Sequence, residues 1–481
     1  MFKNSKMYKA LLSSIKVSRS TNLRSIYHLT RVKDVAAGVH SEGDKIQVKG
    51  WVKSVRKMKD NVFLDVNDGT CTHNLQLVVS KPQLQDTAYG SSVDVTGTLG
   101  RTPKNQLELK VDSLQELGAC PLAEGYPFYP KKSYPPDYIR NHLHLRPQVS
   151  SVGSTLRVRH QATKCFNDYL DREGFIQIHT PIITSNDCEG AGEAFQVRPA
   201  NDGLLKQMAK KGVPHDQAYF DRQTFLTVSG QLHLEAMAHG LGKVYTFGPT
   251  FRAENSKSPI HLAEFHMLEL EEAFMDSLDA LADRIESMVK CVTKSLLETS
   301  SEDLTSVRKL TTDSSLEQSF TWVDKQFPRI TFDDAMQVLQ QHKTKLKSPV
   351  CPAEGINKEQ ELFLVDHFAS PLFVTSWPKA IKSFYMKENA ANPELVDALD
   401  FLVPHAGELV GGSVREGDHD KLAAKLPDRE ALGWYLELRK FGSVPTAGFG
   451  LGLERYLAWV LNVHNVKDVI PFPRWAHNCA M

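Results

Sequence analysis

The chain reads as an α+β protein of more than one domain, with a small five-stranded β-barrel near its N-terminus and a larger domain of helices and strands behind it. Three stretches carry that reading. Between Asp44 and about Leu117, five short runs place apolar residues at every second position: Ile46 to Val52, Val62 to Val66, Leu75 to Val79, Val93 to Gly97 and Leu107 to Val111. That period of two belongs to half-buried strands. From about Ser154 to Arg172, Leu156, Val158, Ala162, Cys165, Phe166, Tyr169 and Leu170 recur at spacings of three and four, the stripe of an amphipathic helix. Gly248 to Glu272 reads as two strands joined by a polar loop, Asn255 to Pro259.

The bulk numbers are those of a globular protein with two or three domains: 481 residues, 41% hydrophobic and 24% charged. No apolar run approaches the length of a membrane span, so no membrane partner is expected. Lys+Arg and Asp+Glu are equal at 57 each, so a nucleic acid would have to be held by local patches and not by net charge. The seven cysteines are scattered and never form a Cys-x-x-Cys pair, which points away from a disulfide framework or a zinc site and toward a reduced compartment.

Taken in order, residues 1–33 hold eight Lys or Arg, six serines and no acid, with Leu11, Leu12 and Ile15 able to share a helical face. This is the pattern of an organellar transit peptide, here assigned to the mitochondrial matrix; a basic arm that touches nucleic acid is the alternative. Residues 34–117 suit a Greek-key barrel of the OB type, with turns such as Asn67-Asp68-Gly69 between strands. Lys53, Arg56, Lys57 and Lys59, with Phe63 and Gln76 on the same face, can stack and charge-pair unpaired bases, although a solvated strand face has the same composition. Six prolines between 118 and 150 mark a hinge or linker.

In the larger domain, 151–481, Gly174 ends the first helix and Phe175-Ile176-Gln177-Ile178 leads as a strand to Thr180-Pro181. Glu189, Gly190, Gly192 and Glu193 allow close backbone approach beside two carboxylates, which suits an ammonium group or simply a tight acidic turn. Residues 197–224 and 299–328 read as polar insertions. Gln231 to Glu235 reads as a helix start with Leu232 and Leu234 available to the core. In the hairpin, Phe265, Met267 and Glu269 fall on one strand face and Glu264, His266, Leu268 and Leu270 on the other, with Arg252 and Glu264 at the same end. By composition alone, a charged edge hairpin with surface ion pairs is the plainer reading of that stretch. Near the C-terminus, Asp400 and Glu408 are an acidic pair, and Gly448-Phe449-Gly450-Leu451-Gly452 precedes a helix carrying Arg455.

Two of these blocks together resemble a known family. Phe251-Arg252-x-Glu254, a loop, then His261-x-x-Glu264-Phe265 resembles motif 2 of the class II aminoacyl-tRNA synthetases, and Gly448 to Arg455 resembles their motif 3. The helix and strand from 154 to 184 resemble motif 1, which implies a homodimer. The resemblance implies a catalytic domain built on an antiparallel β-sheet flanked by helices, behind an anticodon-binding barrel of the kind found in the aspartyl, asparaginyl and lysyl enzymes. It implies an ATP site of Arg252, Glu254, His261, Leu262, Phe265, Glu408, Gly452 and Arg455, with Arg252 on the α-phosphate, Phe265 on the adenine, and the two arginines catalytic. Asp400 and Glu408 would hold Mg²⁺ through oxygen ligands. Glu189, Gln231, Leu234 and Arg415 would bind the amino acid, Glu189 at its α-amino group and Arg415 at its side-chain carbonyl.

Which amino acid is a question of charge, because aspartate and asparagine are nearly isosteric. The aspartyl enzymes have a lysine where this chain has Leu234, and a carboxylate buried against leucine is unpaired. Lys382-Ser383-Phe384-Tyr385-Met386 resembles the Lys-x-Phe-Tyr-Met of the asparaginyl branch. The expected partners are therefore L-asparagine and tRNA(Asn). The rival expectations are an aspartyl enzyme and a catalytically silent RNA-binding relative. Ile260, Val414 and Thr446 depart from residues frequent in the family.

Overall fold

The alternating runs of the N-terminal region close into a barrel. Its strands are β1 (Lys45–Lys57), β2 (Asn61–Asn67), β3 (Leu75–Ser80), β4 (Ser92–Arg101) and β5 (Leu107–Gly118). They follow the order β1-β2-β3-β5-β4, and β4 pairs back onto β1; only β3 with β5 is parallel. A register shift between Val52 and Ser54 bends β1, so that its first half pairs with β4 and its second with β2. Val48, Val52, Leu64, Leu77, Val93 and Val95 fill the interior completely, as their period of two requires.

The computed structural model describes residues 28–81, 87–130, 132–186, 194–312 and 314–481, in two units that divide after Ser133. Most of the expected transit segment, 1–27, lies outside the described residues. Its last residues do not belong to a removable leader. His28 and Leu29 pair with Ile46 and Gln47, Val32 is buried in the barrel core, and the Val32 N–H donates to Asp68 at 2.8 Å. A boundary at 33 is therefore too late, since cutting there would strip a strand and a core residue from the barrel.

The second unit is organised on one eight-stranded sheet. Its strands are β6 (Ile176–Gln177), β7 (Lys243–Phe251), β8 (Glu264–Ala273), β9 (Arg329–Thr331), β10 (Leu372–Pro378), β11 (Leu395–Val403), β12 (Gly407–Val414) and β13 (Thr446–Gly452). The order across the sheet is β9-β10-β11-β12-β13-β8-β7-β6. The six central strands are antiparallel, and the short edge strands β9 and β6 pair in parallel, so the sheet is mixed and not wholly antiparallel. β13, late in the chain, fills the middle.

Its longer helices are α1 (Ser150–Arg172), α2 (Gln231–Leu241), α3 (Leu278–Arg308), α4 (Phe332–Gln341), α5 (Lys358–Phe368) and α6 (Leu453–Leu461). The stripe read on α1 is buried as expected, with Val158, Phe166 and Leu170 packed with Ile285 and Val289 of α3 and with Leu268 and Leu270 of β8 in one core. A second core joins α4 and α5 to β10 and β11.

The stretch 299–328 is not a polar insertion. α3 continues through it to Arg308, and Leu304, Val307, Phe320, Val323 and Phe327 enter the main core. The Arg308 guanidinium donates to the Val460 carbonyl at 2.9 Å. The expected hinge, 118–150, is divided by the unit boundary. From Tyr134 onward it packs on the second unit, where Arg146 is buried and donates to the carbonyls of Ile470 and Pro471.

Candidate active site

Strand alternation decides which side chains share the site. On β8, Leu268 and Leu270 point into the helical core, so Phe265, Met267 and Glu269 point out of the opposite face, where a cavity of about 340 Å³ lies. The register sets one row straight across five strands: Asp400 of β11, Gly411 of β12, Gly450 of β13, Glu269 of β8 and Thr246 of β7. Two glycines in the middle leave a trough between an acid at each end. Asp400 and Glu269 stand three strand spacings apart, about 14 Å.

The glycines of the C-terminal motif divide by role. Gly450 and Gly452 line the cavity, whereas Gly448 makes room underneath it. A Cβ on Gly448 would stand 2.0 Å from Glu271 Oε2 and 2.7 Å from Arg415 Nη2. Those two groups form a fully buried pair, with Arg415 Nε and Nη2 donating to Glu271 at 2.9 and 2.7 Å and Nη1 to Ser413 Oγ at 2.6 Å. Burial pushes the Glu271 carboxyl up to about 7, while Arg415 opposes the shift. Close by, Glu235, buried completely, accepts from Tyr435, from Arg439 at 2.7 Å and from Thr446 at 3.0 Å.

At the other end of the hairpin, Phe251 pairs with Glu264 and the Arg252 N–H donates to the Ala263 carbonyl, which fixes Arg252 at the cavity mouth. Its guanidinium lies 5.8 Å from the Phe265 ring centroid and 3.9 Å from Glu254. His261 Nε2 is 3.4 Å from Glu254 and its Nδ1 2.5 Å from Ser258 Oγ. Burial, together with Arg455, Lys358 and Arg252, holds the His261 pKa below its ordinary value against the pull of Glu254. Arg455 reaches across from α6, donating to the Glu408 carbonyl at 2.8 Å with its Oε2 3.7 Å away.

Arg252, Glu254, His261, Leu262, Phe265, Gln231, Asp400, Glu408, Arg415, Gly452 and Arg455 therefore line one cavity, drawn from residues more than two hundred positions apart. Glu189 lies outside the described residues. Leu234 does not face the cavity. It is fully buried with Ala238 and Val244, one turn apart on α2 and on the adjoining strand, so it cannot read the charge of a ligand.

Two other groups do face the cavity: Gln231, already expected at the amino acid, and Glu269, which the sequence reading did not assign to it. The Glu269 carboxylate accepts from Ser229 Oγ and from the Gly230 N–H at 2.8 Å, and burial raises its pKa above the usual carboxylate value. The Gln231 Nε2 is buried with no hydrogen-bond partner among the described residues. A buried acceptor and an unmet donor in the same wall suit a ligand that offers the complementary pair. Glu269 was legible as one acid on the alternating face that also carries Phe265 and Met267.

Lys382 Nζ contacts both oxygens of Asp400, and a Cβ placed on Gly411 would lie 3.0 Å from Glu408 Oε1 and 3.9 Å from Asp400 Oδ1. The two carboxylates thus converge on one point in the trough. Hard oxygen donors of this kind fit a divalent cation such as Mg²⁺.

Known proteins resemble this chain over most of its length. A family model described as "tRNA synthetases class II (D, K and N)" matches residues 137–476, and one described as "OB-fold nucleic acid binding domain" matches 46–117. The chain is 41% identical to a mouse asparaginyl-tRNA synthetase, covering 94% of both chains. It is 40% identical to a probable mitochondrial asparagine–tRNA ligase of Dictyostelium discoideum, covering 91% of this chain and 94% of the other. Among solved structures, an asparaginyl-tRNA synthetase of Pyrococcus horikoshii complexed with asparaginyl-adenylate superimposes with a TM-score of 0.81 at 29% identity, over 94% of this chain and 99% of that one.

Proposed function

The chain belongs to the class II tRNA synthetases of the aspartyl, lysyl and asparaginyl group, and from that premise we propose how its residues divide the work of joining asparagine to tRNA. The activity is that of an asparagine–tRNA ligase that uses ATP. Its tRNA-binding barrel is the OB unit.

In the first step the α-carboxylate of asparagine attacks the α-phosphorus of ATP, the bond to the bridging oxygen breaks, and pyrophosphate leaves with the electron pair. Arg252 and Arg455 hold the negative charge that spreads over the phosphoryl oxygens. The adenine lies against Phe265, and Glu254, His261, Leu262 and Gly452 shape the nucleotide end. The nucleophile is already an anion, so no side chain has to act as a strong base; the contribution is position and field. Asp400 and Glu408 would hold Mg²⁺, which supplies positive charge to the phosphates. In the second step a terminal ribose hydroxyl of tRNA attacks the carbonyl carbon of the mixed anhydride, the ester C–O bond forms as the bond to the phosphate oxygen breaks, and AMP leaves with the electron pair and the hydroxyl proton.

Selection of the amide rests on Glu269, Gln231 and Arg415. Arg415 donates to the side-chain carbonyl, and the ionised Glu269 accepts from the amide NH₂. An aspartate carboxylate in that position would face Glu269 with like charge, and buried groups that lose their partner discriminate strongly. Glu189 is assigned the α-ammonium by resemblance alone. The observation that carries the reading is the convergence of Arg252, Arg455, Glu269 and Arg415 on one trough. The test is ATP–pyrophosphate exchange on protein starting at residue 28, with asparagine and aspartate side by side. Exchange with asparagine alone is expected; exchange with aspartate would sink the assignment of Glu269, and exchange with neither would favour a silent binding protein.

Two further parts are proposed. The chain acts as a homodimer, supported by the exposed Ile176, Ile182 and Ile183, and by Met237 and Leu241 on α2. Sedimentation of Ile183→Glu as a monomer, against a wild-type dimer, is the expected result. The site of action is the mitochondrial matrix, supported by the basic, acid-free segment before residue 34 and by the Dictyostelium relative. A fluorescent fusion to residues 1–27 that stayed outside mitochondria would overturn it.

A further inference from the structure

The loop between β7 and β8 carries Glu254, Ile260 and His261 over the nucleotide end of the cavity, and its outer side is gripped in an unusual way. Three consecutive carbonyls are taken by two residues near the C-terminus. Lys467 Nζ donates to the Lys257 and Ser258 carbonyls, each at 3.3 Å, and the Val466 N–H donates to the Pro259 carbonyl at 2.9 Å. On the inner side Ser256 and Ser258 hydroxyls contact His261 Nδ1 at 3.1 and 2.5 Å. The loop is thus cross-linked within itself on its inner side and gripped from outside by the C-terminal segment.

Lys467 is a costly residue to keep there. It is 6% exposed, and among the described residues it forms no ion pair; the adjacent Asp468 is taken by both of its oxygens by Arg140. Its ammonium sits 4.9 Å from the Trp475 ring centroid. Burying an ammonium without a carboxylate is unfavourable, and the loop carbonyls and the ring face are what offset it. The platform that carries it is fixed from behind, because Arg146 donates to the carbonyls of Lys467, Ile470 and Pro471.

We propose that Lys467 is a positioning residue for adenylate formation: its ammonium, by capturing the outer carbonyls of the 253–262 loop, fixes the loop that closes the nucleotide end of the site. It touches no reacting atom. Its effect passes through the loop to the placement of ATP, and it leaves the asparagine end, set by Glu269 and Arg415 on the strands, alone. The kinetic part rests on the ATP site proposed above; the structural part does not.

The experiment compares Lys467→Met, Lys467→Gln and Lys467→Arg in the full chain, reading amide hydrogen exchange of the 255–262 segment and the exchange kinetics. Lys467→Met is expected to lose protection in 255–262 while β7 and β8 keep theirs, and to raise KM for ATP about tenfold with KM for asparagine unchanged. Lys467→Arg restores both and Lys467→Gln falls between. If Lys467→Met does not fold, hydrogen exchange of Lys467→Gln decides. Wild-type protection of the loop in the charge-free variants, or equal rises in both KM values, overturns the proposal. Absence of exchange activity in the wild type would remove the ATP reading, while loop protection would still test the clamp.

Discussion

Lys382 Nζ lies 2.9 Å from each carboxylate oxygen of Asp400 and 3.8 Å from the centroid of the Trp377 ring. The lysine is therefore the counter-charge of one of the two acids assigned to Mg²⁺. Burial pushes the Asp400 carboxyl up to about 7; Lys382 opposes that and Glu408 adds to it. Removing the lysine leaves two facing acids with less positive charge between them. Lys382→Met is expected to bind Mn²⁺ several-fold more tightly without ATP, measured by electron paramagnetic resonance. Weaker binding would mean that the lysine helps hold the cation's partners and does not compete with it.

Glu269 supplies a second prediction. Its pKa is raised, chiefly by burial, with the Ser229 and Gly230 hydrogen bonds and the charges of Arg252 and Arg415 opposing. For a carboxyl raised above its unfolded value, the stabilising effect of the proton is full below the unfolded pKa and is lost as pH rises through the folded one. At acid pH the site therefore carries a neutral Glu269, which no longer repels aspartate. The ratio of asparagine to aspartate exchange should fall as pH is lowered from 8 toward 5. Glu269→Gln should compress that ratio by about 10² and flatten its pH dependence. A ratio that stays constant across this range in the wild type would remove Glu269 from amide selection.

The barrel should act only after adenylate formation. Arg56 Cζ lies 5.9 Å from the Phe63 ring centroid and its Nη2 donates to Gln76 Oε1 at 2.8 Å, so the exposed arginine and the half-buried Phe63 and Gln76 form one surface platform. Phe63→Ala is expected to raise KM for tRNA about tenfold, the scale of one lost base stack, and to leave ATP–pyrophosphate exchange unchanged. A parallel fall in exchange would show that the substitution had damaged more than the platform.

The buried quartet around Glu235 is a matter of stability. Glu235→Ala leaves Arg439 buried without its 2.7 Å partner and deprives Tyr435 and Thr446 of their acceptor. A loss of about 3–5 kcal/mol in urea unfolding of the catalytic unit is expected. Thr446→Val, which removes only one donor, should cost about 1 kcal/mol.

Much of this was written in the order of residues, and some was not. The strands of the barrel, the helix ending at Arg172 and the hairpin around Arg252 obey local periods, so each could be read without neighbours. For Leu234 the local reading, a core position at a helix start, is where the structure places it, whereas the resemblance to a lysine position says nothing about helix phase. Its i+4 partner Ala238 was the local sign that it belongs to the apolar stripe. The 299–328 stretch looked polar because Leu304, Val307, Phe320 and Val323 are spread thinly among serines and acids, and only packing against α6 and the sheet shows which of them count. Lys467 carries no local signal of its role: the carbonyls it holds lie about 210 residues away.

The position of β13 has a consequence for how the protein is made. It lies between β12 and β8, yet residues 446–452 leave the ribosome after every other strand of the sheet. Until they do, the β7–β8 and β11–β12 hairpins each present an unpaired inner edge, the kind of surface that recruits other chains. Nascent catalytic units therefore wait, nearly complete and open down the middle, for their last strand. Chains truncated before residue 446 should be chaperone-bound or aggregated rather than merely inactive, because what they lack is the staple that joins two half-sheets.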